Sequence, residues 1–250
     1  MGQKRSPLGV EELERVAARG WRALEEGALG DWLLRAGGGF TGRANSVLVV
    51  GDPGVPLPAA VDAVTRWYTE RGLRPCAQLP GVQSRAAGAA FAAAGWARDE
   101  DVLVLTAPLA TAPEPGVPVE LAAVPDEAWL TGYRYRGGPL PPVAEQVLTS
   151  AEDAVFASVR LDPSPAPLAA VARGVLTDGW LGVTAVTVAE EHRRRGLATA
   201  VMAALQRWAA ERGAHSVYLQ VVAGNAPARA LYRRAGFIEH HRYHYRRPPA

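Results

Sequence analysis

The clearest hydrophobic rhythm in the chain runs through Leu197, Val201, Leu205 and Trp208, whose spacings of four, four and three place them on one helical face. Gly213 stands just past that helix and supplies its stop. Upstream, apolar runs at 154–161, 168–176 and 180–188 read as strands, with Thr177-Asp178-Gly179 as a tight hairpin turn, because an Asp-Gly pair favours positive φ. Downstream, 216–222 is rich in β-branched and aromatic residues and reads as a buried strand. Asn225 can cap a short helix with Pro227 in its first turn, Gly236 ends it, and 237–245 reads as a last strand. A short strand at 119–124, a helix starting at Asp126 and a helix near 143–150 precede this series.

The first part of the chain gives strands at 31–35 and 46–50, a helix at 58–71 and a strand at 102–106. Between the two parts, 107–118 holds five prolines or glycines in twelve residues with no periodicity, so 108–118 is predicted to be a linker.

Composition narrows the class. The 250 residues are 48% apolar and 21% charged, ordinary globular usage that argues against a disordered or collagen-like chain. A single cysteine, Cys76, excludes an intramolecular disulfide and any site needing two thiolates from one chain. No run of about 18 uncharged apolar residues occurs, and the start MGQKRSPLGVEELERV lacks an apolar signal core, so a cytoplasmic protein without membrane partners is expected. Charge is unevenly placed: from His192 to the end, eleven arginines face two acids for a net of +9, leaving −7 elsewhere. The last quarter therefore suits an anion. The 26 arginines against one lysine, Lys4, read as coding bias and carry little functional weight.

That basic excess begins where chemistry is expected. Residues 186–198, VTVAEEHRRRGLA, lead a strand through a basic turn straight into the helix that carries Leu197, Val201, Leu205 and Trp208. A helix N-terminus offers free N–H groups and about half a positive charge, and Gly196 and Ala198 are small enough for an anion to approach the backbone. One strand later, Asn225 is followed by ALYRRAGF at 230–237, with Tyr232 in mid-helix.

The two motifs together resemble the GNAT superfamily of acyl-CoA-dependent N-acyltransferases. Arg193-x-x-Gly196-x-Ala198 matches its Q/R-x-x-G-x-G/A pyrophosphate loop, and N-x-x-A-x-x-L-Y-x-x-x-G-F fits Asn225 to Phe237. The resemblance implies an α/β fold (α+β) with a mixed, mostly antiparallel sheet flanked by helices. It also implies acetyl-CoA as co-substrate, without a metal, and a primary amine on a small molecule or peptide as acceptor. Carried onto this chain, backbone N–H groups around Arg193, Arg194, Arg195, Gly196, Leu197, Ala198 and Thr199 would hold the pyrophosphate. Val186 and Val188 would pair with the pantetheine arm, and an N–H there would polarise the thioester carbonyl. Asn225 would hold the cofactor arm, and Tyr232 would protonate the departing thiolate.

The general base is not legible. Strand 180–188 has no carboxylate where many relatives use a Glu; Glu190, Glu191, Glu120 and Asp126 are the charged candidates, and a water chain is equally open. On a regular strand His240 and His244 share a face and His241 does not, with Glu239 the only adjacent acid, so the three read as surface or hairpin-lining groups rather than metal ligands. The glycines at 37–39 read as a flexible turn. No G-x-S-x-G, Walker-type G-x-x-x-x-G-K or H-E-x-x-H occurs, which removes the minimal residues of a hydrolase elbow, an NTPase and a zincin. Two rival functions remain: a non-catalytic acyl-CoA sensor, kept alive by the missing strand carboxylate, and a nucleic-acid binder suggested by the basic C-terminal part with Tyr218, Tyr232, Tyr243 and Tyr245. Acidic sequence elsewhere counts against nucleic acid. A homodimer is open, and the acceptor pocket is expected to use loops such as 133–143, with Arg35, Phe40, Arg43 and Asn45 as first-half side chains that could face the thioester end.

Finally, a shift of 141 positions lays Arg66-Trp67-x-x-Glu70-Arg71-Gly72 on Arg207-Trp208-x-x-Glu211-Arg212-Gly213, and Ala94-Gly95-Trp96 on Ala235-Gly236-Phe237, with Phe91 on Tyr232. Two pseudo-repeated lobes are therefore expected: 1–107 a degenerate copy, 119–250 the catalytic domain. In the first copy the phosphate loop becomes 52–57, DPGVPL, with an acid and two prolines that have no N–H to donate, and the acid position is Phe91.

Overall fold

The computed structural model describes residues 8–109, 114–135, 137–161 and 167–249; part of the expected linker, 110–113, lies outside them. Helix α1 (Val10–Gly20) opens the fold. Its apolar residues Leu13, Val16 and Ala17 recur at helical spacing, and the Glu12 carboxylate accepts from the Gly9 N–H at 2.7 Å to close its first turn. Then come β1 (Glu25–Leu29), β2 (Trp32–Ala36), β3 (Val47–Leu48), α2 (Leu57–Thr69), β4 (Ala77–Pro80), α3 (Arg85–Ala93), β5 (Ala97–Arg98) and β6 (Val102–Pro108). The second part has β7 (Glu120–Ala122), α4 (Glu127–Gly132), α5 (Ala144–Leu148), β8 (Ala154–Val159), β9 (Ala170–Thr177), β10 (Trp180–Val188), α6 (Leu197–Ala210), β11 (Ser216–Val222), α7 (Ala226–Arg234) and β12 (Ile238–Arg247).

Local signals placed these later elements closely. Asp178 and Gly179 take φ of 51° and 76° in the β9–β10 turn, as the Asp-Gly pair requires. Asp126 caps α4 by accepting from the Trp129 N–H at 2.7 Å, and Asn225 caps α7 through Ala228 N–H at 3.2 Å.

All strands join one mixed sheet, in the order β1-β2-β3-β4-β12-β6-β11-β10-β9-β8-β7, with β5 beside β12. Among the described residues only β3–β4 and β10–β11 pair in parallel, and the other pairings are antiparallel. β6, from the first part, lies between β11 and β12, and β12, from the last part, reaches across to β4. The sequence Val102-Leu103-Val104-Leu105 explains how β6 tolerates that central place. Leu103 and Leu105 pack with α6 on one face, and Val102 and Val104 with α1 on the other, so both faces are apolar.

Candidate active site

The site begins with a defect in the sheet. Trp180–Val183 of β10 pair in parallel with Ser216–Leu219 of β11, and past Val183 the two strands no longer pair. β10 instead follows β9 through a register shift between Thr184 and Thr187, where Ala185 takes φ 56°. A bulge adds a residue, bends the strand and increases its twist, which carries β10 away from β11. Ala189 N–H donates to Ala169 O on the β9 side, so by the alternation of a strand the Val188 and Val186 amides face the opening gap. Val186 and Val188 are half-buried, packed in the same cluster as Leu197, Val201 and Tyr232.

A 3₁₀ turn at Glu190–His192 leads to the basic loop. Arg194 has φ 64° and Gly196 φ 79°, both left-handed. Glycine adopts that conformation freely; for an arginine it is uncommon and turns the following amides inward. Gly196 is the N-cap of α6 and has no side chain to place over the first-turn N–H groups of Leu197, Ala198 and Thr199. Arg193 pairs with Glu190 at 3.5 Å, Arg195 with His192 at 3.1 Å, and Arg194 has no side-chain partner among the described residues. Exposed basic side chains, two αL residues and an uncapped helix of fourteen residues leave a positively charged turn with free amides, the chemistry that receives an anion.

Tyr232 lies on α7, 8% exposed, its ring 5.9 Å from that of Phe237. Burial raises its pKa above the usual value of 10, keeping the phenol protonated. No described residue hydrogen-bonds its hydroxyl. Asn225 is exposed at the start of the same helix, with Oδ1 engaged as the cap.

The opposite face of the gap was less legible. Asn45 accepts from the Gly37 and Gly39 amides at 2.9 and 2.8 Å and donates to Phe40 O and Thr41 O, so the glycines at 37–39 form a pinned loop, not the flexible turn expected. Phe40 is in the core and Arg35 is buried, donating to Ser46 and to Gln78 Oε1 at 2.7 Å. Of the four first-half side chains considered, Arg43 alone bonds a strand of the gap, donating to Gln220 Oε1 at 3.2 Å.

One further expectation is corrected. His241 is buried against Glu14, its Nε2 2.8 Å from Oε1, so an acid from α1 stands beside the histidines where the sequence offered only Glu239. Asp126 is occupied as a helix cap, while Glu120, Glu190 and Glu191 are exposed. Among the described residues no three His, Cys, Asp or Glu cluster as metal ligands do, and no helix is long and apolar enough to cross a membrane.

Comparison with known proteins accords with this geometry. The family model described as probable histone acetyltransferase Rv0428c, C-terminal, matches residues 9–246. The probable histone acetyltransferase Rv0428c of Mycobacterium tuberculosis is 30% identical over 247 residues, 94% of this chain and 73% of that protein. The uncharacterized N-acetyltransferase YobR of Bacillus subtilis is 27% identical over 95% of this chain and 98% of its own. A GCN5-related N-acetyltransferase from Kribbella flavida superposes with a TM-score of 0.71 at 19% identity, covering 98% and 97% of the two chains. The chain thus belongs to the Rv0428c C-terminal family of acetyltransferases and has the fold of the GNAT N-acetyltransferases.

Proposed function

We propose that the protein moves an acetyl group from acetyl-CoA to a primary amine by direct attack in a ternary complex. The observation that carries this reading is the parting of β10 from β11 directly beside the uncapped N-terminus of α6. Acetyl-CoA supplies an activated thioester. The amides of 194–199 bind its diphosphate, with Arg193, Arg194 and Arg195 adding attraction. Val186 and Val188 align the pantetheine arm through gap-facing amides, one of which stabilises the developing oxyanion. Asn225 orients the arm at the mouth of the gap, and Tyr232 Oη delivers a proton to the leaving sulfur.

In the same reading the chain comprises two related lobes, 1–107 and 119–250, joined at 108–118, of which only the second binds the co-substrate. Adding 141 to the bounds of α3 gives 226–234, the span of α7, and adding it to α2 gives 198–210 against 197–210 for α6. Each lobe has one parallel strand pair, β3–β4 and β10–β11. At the start of α2, Pro56 caps and Pro58 follows, which removes amides that α6 retains. Isothermal titration with coenzyme A tests this: one site per chain is expected, with acetyl-CoA and an amine panel releasing one thiol per amine acetylated. Two sites overturn the inactive first lobe. Tight binding without transfer to any amine favours the sensor reading, which the absence of a carboxylate from β10 supports.

A further inference from the structure

On the sheet face opposite α6, two arginines meet at the crotch of the gap without an acid. Arg173 on β9 pairs in register with Thr184, the first β10 residue past the last pairing with β11. It is fully buried. Its Nε donates to Leu148 O at 2.7 Å and its Nη1 to Gly20 O at 2.9 Å, the C-terminal carbonyls of α5 and α1, while Nη2 has no partner among the described residues. The two helix ends fix the guanidinium, so the remaining donor is held in place and not free to swing to solvent.

Arg43 arrives from the first half onto Gln220, the first β11 residue past the pairing. The guanidinium carbons of Arg43 and Arg173 lie 4.3 and 4.9 Å from the centroid of the Trp21 ring. Burial, followed among the lowering causes by the charge of Arg43, holds Arg173 down to about 9. Both positive charges also act on the phenols of Tyr133 and Tyr218, which are buried beside them. No carboxylate among the described residues bonds either arginine. Arg173 is fully buried with an idle donor and Arg43 half-buried beside it, and since no described carboxylate bonds them, an anion from outside is the complement this pair lacks.

We propose that Arg43 and Arg173 form a carboxylate subsite for the acceptor, so that the amines acetylated are those of amino-acid-like molecules bearing a carboxylate. This rests on the transfer reading above. The subsite flanks Thr184 and Gln220, where the strands begin to part, so a carboxylate held there leaves the amine of the same molecule directed into the gap. A guanidinium fork beside one fixed Nη2 suits a planar, two-oxygen anion.

The test titrates coenzyme A-saturated protein with β-alanine and 6-aminohexanoate, with their primary amides, and with O-phosphoethanolamine, and follows acetyl transfer to each. The carboxylates are expected to bind about 10- to 100-fold more tightly than the amides. Arg43→Gln is expected to abolish that preference through KM while coenzyme A affinity is unchanged, and Arg43→Lys to restore part of it. Equal binding of acid and amide, no binding of either acid, a preference that survives Arg43→Gln, or tighter binding of the phosphate overturns the proposal. Arg43-dependent carboxylate binding without thiol release upholds the subsite and overturns the transfer reading instead.

Discussion

Replacing Tyr232 by Phe separates chemistry from folding unusually well. The ring is buried and packs on Phe237 within the cluster that holds Val201, Leu219 and Val221, and phenylalanine keeps all of that surface. The hydroxyl has no partner among the described residues, so its removal orphans none of them, and unfolding free energy should change by less than about 0.5 kcal/mol. If Oη protonates the departing thiolate, its loss raises the barrier by about 3–5 kcal/mol, the equivalent of ~10²–10⁴ in turnover. Burial raises the phenol's pKa above 10, so the proton is present throughout the neutral range and no falling limb below about pH 10 should trace to this group. Single-turnover acetyl transfer, coenzyme A titration and urea unfolding of both proteins provide the three readouts. Turnover within about threefold of the parent, with affinity and stability intact, would falsify the general-acid role.

Three other outcomes follow from the packing. Glu14 is 1% exposed and accepts from Gln78 Nε2 and His241 Nε2, both at 2.8 Å, in a chain that continues through Gln78 to buried Arg35; Glu14→Ala should cost about 3–5 kcal/mol and on the order of 10 °C in Tm by calorimetry. A loss below about 1 kcal/mol would show that the buried network is energetically idle. Expressed alone, 1–107 lacks β12 beside β4 and 119–250 lacks β6 beside β11, so each should be insoluble or molten by near-UV dichroism, with co-expression restoring a folded pair; a cooperatively folding 119–250 would contradict this. His244 is held down to about 4 by burial and by Arg98 and Arg246, so between about 6.5 and 4 the unfolded chain binds the extra proton and stability falls as pH drops. His244→Gln should flatten urea midpoints measured from pH 7 to pH 5, and an unaltered slope would count against the histidine.

Much of the candidate site was legible because its signals are local. Gly196 after three arginines, Asn225 ahead of a helix with Pro227, and the apolar run of β10 each depend on neighbours a few residues away, and the structure has a left-handed Gly196, a cap at Asn225 and a strand at Trp180–Val188. α1 carries a local signal too, in Leu13, Val16 and Ala17 with Glu12 closing the first turn, but nearly half of its residues are charged, which dilutes the apolar period. The bulge at Ala185 had no such signal, since nothing in Val-Thr-Ala-Val-Thr asks for a positive φ. The partners of Arg43 and Glu14 lie 177 and 227 residues away, beyond any periodicity.

The sequence by itself determined the elements of the second part, the family motifs and the basic loop, because helix caps, turn residues and apolar periods act over a few bonds. Tertiary structure alone decided that β6 enters between β11 and β12 and that β12 crosses to β4, since pairing order depends on which strand edges remain open once both faces are covered. It likewise decided that two arginines from different halves share one tryptophan at the crotch of the gap. Charges distant in the chain become neighbours only when the sheet that carries them has closed.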